Sequence, residues 1–336
     1  MTHELKKIFE AYLRANAKHL KNVLATVVAL EGSSYRKPGV RMLISEDGKM
    51  TGAVSGGCVE KEVLRQAQSV FNDGIPKIMT YDGRYRLGCE GVLYILIEPF
   101  SPSESVLHSF QEVLKHRRTF QVSAYYEKKD AANPFFGSMF TVEGESQCFR
   151  DDFMPDTSLS LFEQRMSPCF RLFIIGAEHD AVQLSGFASN TGWEVTVVAD
   201  VSEEKNISDF PGAVDFISCL PEALDTKQID HRSAVILMTH SYVKDLKYLL
   251  RLVTTEPVYL GLLGPAQRRE KLLNEFLERN PQVPDSFFDR IHGPAGLNIG
   301  AETPQEIAIA IIAEILSVVR EKEPMMLKNK IGRIHS

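Results

Sequence analysis

The chain has 336 residues, 44% hydrophobic and 24% charged, with a formal net charge of −6. That length exceeds one small domain and indicates two, while an acidic balance with no long basic run argues against a nucleic-acid surface. The most apolar run, Ile307 to Val319, carries Glu314 and is too short to span a bilayer, and the N-terminal MTHELKKIFE has no apolar signal core, so a cytoplasmic protein without a membrane segment is expected.

Apolar residues at Leu5, Ile8, Phe9, Tyr12 and Leu13 predict a helix over 3–20. Strand-like runs follow at 23–30, 40–45, 49–54, 77–81 and 92–98. Among them, 58–72 reads as a helix with Val59, Val63, Leu64, Ala67 and Val70 on one face, ended by Asp73-Gly74. A further helix is predicted over 103–117, and a small set of strands over 119–150, with turns at ANP and EGE. The mixture describes an N-terminal α+β domain over 1–150 rather than a series of βαβ repeats. Residues 151–169 are polar, contain Pro155 and Pro168 and show no steady period, so they are expected to be a linker.

The second half changes character. RLFIIG (171–176) is a buried-strand run ending in glycine, followed by a helix over 179–191 and a strand over 193–200. Later strands fall at 213–218, 233–239 and 257–264, with helices at 242–252 and 266–279. The last helix, 303–320, opens on Thr303-Pro304, a good N-cap followed by a residue suited to the first turn. Near-continuous apolar strands alternating with helices predict a Rossmann-like, doubly wound parallel-sheet domain over 170–322. Residues 323–336 are expected to form a loosely held tail.

Cys58, Cys89, Cys148, Cys169 and Cys219 are odd in number and widely spaced, with no C-x-x-C pair. Neither a disulfide framework nor a structural zinc site is expected. Cys148, Cys169 and Cys219 read as small buried hydrophobes, Cys219 within a buried strand. Cys58 stands apart, because Ser55, Gly56 and Gly57 lead into it and a helix starts at it. Paired glycines permit a close approach and positive φ. A helix N-terminus lowers a thiol's pKa and attracts phosphate. Glu60 suits the helix dipole but adds a neighbouring anion. Cys89 sits in a similar glycine-flanked stretch, Gly88-Cys89-Glu90-Gly91. For both cysteines the alternative is a small residue in a tight turn.

FIIGAEHDA lies where a dinucleotide-binding turn belongs. Gly176 and Ala181 fit the first and third fingerprint positions, and Asp200 ends the next strand where a ribose-binding acid would sit. The middle position is Glu178, bulky and negative where a glycine lets the pyrophosphate approach. The turn can bind NAD(P), pack as scaffold only, or hold another phosphate-bearing ligand at the helix start. His179 either meets a ligand or caps the turn. His240, after a strand end, can serve as a general base or a structural residue.

In order along the chain, GSSYRKPGVRMLI (32–44), SGGCVE (55–60), GCEG (88–91), IIGAEHDA, MTH (238–240), GLLG (261–264) and IHGPAGLNIGAETPQEIAIAI (291–311) together resemble the signatures of the xanthine dehydrogenase accessory protein family, XdhC/CoxI. The resemblance implies a chaperone rather than a catalyst. It implies a protein that holds the molybdenum cofactor, supports exchange of an oxo for a sulfido ligand with a cysteine desulfurase, and delivers the product to apo xanthine dehydrogenase or a related molybdenum hydroxylase. Cys58 and Cys89 would then be soft metal ligands or sulfur-handling groups. Ser55, Gly56, Gly57, Glu60, Arg41, Gly176, His179 and His240 would line the cofactor site. Arg36, Lys37 and Arg41 would meet the cofactor phosphate or be ordinarily solvated. The chain departs from the family pattern at Glu90, Glu178, Asp180 and Ser241-Tyr242. Two other readings stand beside this one: an NAD(P)-dependent oxidoreductase built on the second domain, and a non-enzymatic adaptor between a molybdoenzyme and a desulfurase. A homodimer is the default assembly.

Overall fold

The computed structural model describes residues 1–32, 37–83 and 91–331, with Cys58 described by its backbone alone. The chain divides into two compact units, Met1–Pro168 and Cys169–Ser336.

The first unit begins with α1 (Thr2–Asn16), then β1 (Asn22–Glu31), β2 (Arg41–Ser45), β3 (Met50–Gly52), α2 (Cys58–Asp73), β4 (Lys77–Asp82) and β5 (Val92–Pro99). It continues with α3 (Glu104–Lys115), β6 (Phe120–Tyr126), β7 (Ala131–Ala132), β8 (Gly137–Val142), β9 (Glu145–Cys148) and β10 (Ser160–Met166). Two antiparallel sheets result, a six-stranded one ordered β3-β2-β1-β5-β4-β7 and a four-stranded one ordered β10-β6-β8-β9. The alternation of side chains along β1 explains its almost complete burial. Val23, Ala25 and Val27 pack with Val59, Val63, Ala67 and Val70 of α2, while Leu24 packs on the opposite face with Leu5, Ile8 and Phe110 from α1 and α3. Helix α2 stops where Gly74 turns left-handed (φ 72°) and its amide returns to the Val70 carbonyl at 3.0 Å.

The stretch 151–169, read from sequence as a linker, carries β10, paired along its length with β6. This strand escapes a pattern search because it is an edge strand: only one side is hydrogen-bonded, and Leu161 and Glu163 face water.

The second unit contains β11 (Arg171–Ile175), α4 (His179–Asn190), β12 (Glu194–Ala199), β13 (Ala213–Ser218), β14 (Ser233–Leu237), α5 (Tyr242–Arg251), β15 (Tyr259–Leu262), α6 (Ala266–Arg279), α7 (Asp285–Phe288), β16 (Ile291–His292) and α8 (Pro304–Arg320). Its sheet is parallel throughout and ordered β13-β12-β11-β14-β15-β16. Strand parity sorts the helices onto two faces. Leu172 and Ile174 join Leu184 of α4 and Ile311 and Ile315 of α8, whereas Phe173 and Ile175 join Leu246 and Leu249 of α5 and Leu272 and Phe276 of α6. The result is the expected Rossmann-like, doubly wound domain. The expected burial of Cys219 is revised: it follows β13, an edge strand with Val214 and Asp215 exposed, and is itself half-buried.

Candidate functional site

In the first unit the candidate site is the loop that starts α2. Gly57 caps the helix at φ 103°, and a Cβ added there would have nothing within 4 Å. The glycine is therefore needed for its backbone conformation and not for lack of room. Glu60, in the first turn, folds back on the loop: one carboxylate oxygen accepts the Ser55 amide at 2.7 Å, the other the Gly57 amide at 2.5 Å. Two donors that could have met a phosphate are already satisfied, and Glu60 itself is buried. Gly56 is exposed. The Cys58 side chain, Arg36 and all of 84–90, including Cys89, lie outside the described residues, and with them the expected sulfur pair. Among the described residues, no group of three or more His, Cys, Asp or Glu side chains could hold a metal.

Arg41 is placed differently from expectation. It stands on the inward face of β2, its Nη1 donating to the Gly39 carbonyl at 2.9 Å and to Gln164 of β10 at 2.6 Å. With 6% of its surface exposed, it is not offered to a phosphate arriving from solvent. Burial lowers its pKa to about 10, against the opposing pull of Glu98.

In the second unit, β11 lies between β12 and β14, so the chain winds away from it in both directions. This switch point is where a doubly wound sheet opens a crevice at its carboxyl edge. The loops after β11 and β14 line it. Gly176 adopts φ 137°, and a Cβ added there would collide with the Met238 carbonyl. Close packing of two loops thus requires this glycine, whether or not a pyrophosphate binds. Glu178 occupies the N-cap of α4 without a side-chain cap bond and is exposed, as is His179 beside it. Asp180 reaches across to His240, whose Nε2 lies 3.4 Å from its carboxylate. The crevice therefore brings together Gly176, His179 and His240, three of the residues named from sequence.

Asp200, at the end of β12, is engaged. The Ser202 hydroxyl and amide donate to it at 2.6 and 3.0 Å, and the Lys244 ammonium lies 3.5 Å away. These groups hold its carboxyl below the usual range, the Ser202 hydroxyl foremost. Lys244 also meets Glu203 at 3.3 Å. Glu178, Asp180, Asp200 and Glu203 make this crevice rich in carboxylates, a poor surface for a pyrophosphate.

Two clusters escaped the sequence reading. Buried Asp245 accepts the Thr239 hydroxyl at 2.6 Å and the Arg268 guanidinium at 2.6 Å, tying the loop after β14 to α6. The available signal was an acid on the apolar stripe of α5, alongside Tyr248 and Leu249. Glu314 of α8 accepts the Tyr259 hydroxyl, the Gly296 amide at 2.7 Å and a bond with His292 Nδ1 at 3.2 Å. His292 stacks on Tyr259 with centroids 4.2 Å apart. The signal there was a lone acid inside the apolar run 307–319. Among the described residues, no helix is long and apolar enough to cross a membrane.

Comparison with known proteins places these features in context. Residues 16–82, which include the Cys58 loop, match the model of the XdhC and CoxI family, and residues 172–315 match that of the XdhC Rossmann domain. The chain is similar to a Bacillus subtilis (strain 168) protein named as a probable xanthine dehydrogenase subunit, with 30% identity over 315 residues, 88% of this chain and 92% of that one. It is also similar to the molybdenum cofactor insertion chaperone PaoD of Escherichia coli (strain K12), with 26% identity over 304 residues, 90% and 84% of the two chains. A crystal structure described as a xanthine dehydrogenase from Bacillus halodurans superposes with a TM-score of 0.76 at 29% identity, covering 94% of this chain and 97% of that one.

Proposed function

The chain belongs to the XdhC and CoxI family, and from that premise we propose that it serves molybdenum-cofactor maturation, holding the cofactor at the Cys58 loop and passing it to an apo molybdenum hydroxylase such as xanthine dehydrogenase. The observation that carries this reading is similarity along most of the chain to an insertion chaperone, with the Cys58 loop inside the matched family region. The chemistry agrees. A thiolate is a soft donor suited to a metal already bound by sulfur, and the first residue of α2 is a position that favours the thiolate. Exposed Gly56 and Gly57 leave the approach to that helix start open. The finer parts of the proposal are sulfuration with a cysteine desulfurase as donor, a cytoplasmic setting and a homodimeric assembly.

The NAD(P)-dependent oxidoreductase reading is disfavoured by Glu178 at the N-cap of α4 and by the engagement of Asp200 with Ser202 and Lys244. The test of the proposal is the molybdenum content, by mass spectrometry, of wild type and Cys58→Ser purified from molybdate-fed cells, with thermal melts alongside. Loss of molybdenum at an unchanged melt is expected. Equal molybdenum in both proteins would remove Cys58 from the mechanism.

A further inference from the structure

We propose that Glu60 is the positioning residue of the Cys58 loop, a clamp that fixes the path of Ser55–Gly57 so that ligand approach is confined to the glycine face; this rests on the reading of Cys58 as the cofactor-holding residue. An acid at the third position of a helix ordinarily bonds the amide of the N-cap residue and no more. Glu60 does this through Gly57, but its second oxygen goes further out along the chain to the Ser55 amide. That second bond lies beyond the helix and contributes to the course of the loop rather than to the cap.

Two further observations separate a clamp from a surface cap. Glu60 keeps only 8% of its surface exposed, although an acid in a first helical turn normally remains in water. And the N-cap is a glycine at φ 103°, with no side chain to contribute, so it is the Glu60 carboxylate that supplies side-chain bonds between loop and helix start. Both loop glycines are exposed. An added Cβ at Gly56 or at Gly57 would meet nothing within 4 Å. Gly56, unlike Gly57, has no left-handed φ to account for it. Neither crowding nor backbone conformation demands a glycine there, whereas a bulky ligand passing close to the backbone does. Glu60 is therefore removed from the set of residues expected to touch the cofactor and assigned to holding the ones that do.

The experiment uses the full chain, as Glu60→Ala, Glu60→Gln and Cys58→Ser beside wild type, all purified from molybdate-fed cells. Hydrogen–deuterium exchange of the peptide covering 53–58 reads the clamp. Molybdenum content reads its consequence, and a thermal melt reads the fold. In Glu60→Ala, exchange of that peptide should rise by on the order of tenfold, as expected when a local bond is lost without global unfolding. Molybdenum should fall to near the Cys58→Ser level, with the melt close to wild type. Glu60→Gln keeps one acceptor oxygen and should be intermediate; it carries the test if the alanine variant misfolds. Unchanged exchange, or wild-type molybdenum in Glu60→Ala while Cys58→Ser is depleted, overturns the role of Glu60 and leaves the Cys58 reading standing. Full molybdenum in Cys58→Ser sinks that reading and this inference with it.

Discussion

Glu98 accepts both the hydroxyl and the amide of Ser138, at 2.5 and 2.9 Å, with none of its own surface exposed. Burial raises its pKa from 4.5 to about 7, against the lowering effects of the Ser138 hydroxyl and amide, Arg150 and Arg41. The folded state thus binds this proton more tightly than the unfolded chain does, and the stabilisation it gives is present below pH 4.5 and lost as pH rises through 7. The interval corresponds to at most about 3 kcal/mol. Urea midpoints at about pH 5 and about pH 7.5 should show wild type less stable at the higher value. Glu98→Gln, which cannot titrate, should lose this part of the pH dependence. An equal slope in both proteins would remove Glu98 as its source.

Asp245 links three elements through two short bonds, so its loss should be felt beyond its own helix. Asp245→Asn keeps an acceptor for Thr239 but breaks the ion pair to Arg268, which is partly exposed. The expected cost is about 1–3 kcal/mol, the range for a charged hydrogen bond lost at a buried acid. Arg268→Gln, which leaves the buried carboxylate without its cation, should cost at least as much. The double variant should fall short of the sum, because the two residues share one interaction. Additive effects in chemical denaturation would show that they do not act as a pair.

What the sequence revealed was what neighbouring residues decide. The start of α8 was readable because Thr303 and Glu306 satisfy each other's backbone within one turn. The parallel sheet was readable because its central strands are continuous apolar runs. What escaped depends on partners far along the chain. AVDFIS is the same string of residues whether β13 has one neighbour or two, and only the topology makes it an edge. The polar β10 becomes a strand through its pairing with β6. At the candidate site, Gly57 and Glu60 were visible as motif residues. Their roles came from hydrogen bonds that a motif does not specify, and the burial of Arg41 depends on Gln164, which lies 123 positions later.

The crevice of the second unit should bind dinucleotides poorly. Its turn carries Glu178 in place of the glycine that admits a pyrophosphate, and the acid that would take a ribose is held by Ser202 and Lys244. Calorimetric titration of NAD, NADP and their reduced forms should give dissociation constants weaker than low micromolar; tighter binding would reverse the conclusion. Glu178→Gly should fold normally, since position 178 has ordinary extended backbone (φ −77°). It should improve binding only modestly, because Asp180 and Asp200 remain.

Alkylation of the native chain should label Cys58 before Cys148, Cys169 and Cys219. Burial raises the pKa of Cys148, and Asp151 and Glu98 add to it while Arg150 opposes. Burial likewise raises Cys219, with Asp200 adding to the effect. Cys169 is buried outright. Each of these surroundings disfavours the thiolate, the reactive form, or blocks access to it. Cys58, by contrast, is the first residue of a 16-residue helix, a kind of position whose partial positive charge lowers a thiol's pKa, here against the Glu60 carboxylate two residues on. Each tenfold difference in thiolate fraction needs about 1.4 kcal/mol of differential stabilisation, within reach of a helix N-terminus combined with desolvation of the competitors. Brief treatment with iodoacetamide at about pH 7, followed by peptide mass spectrometry, should show the peptide containing Cys58 modified at least several-fold faster than those containing Cys148, Cys169 and Cys219. In Cys58→Ser the rates of Cys148, Cys169 and Cys219 should be unchanged, since the substitution leaves their surroundings intact. If Cys148 or Cys219 reacts as fast as Cys58, the helix start confers no special reactivity, and Cys58 is to be read as a turn residue.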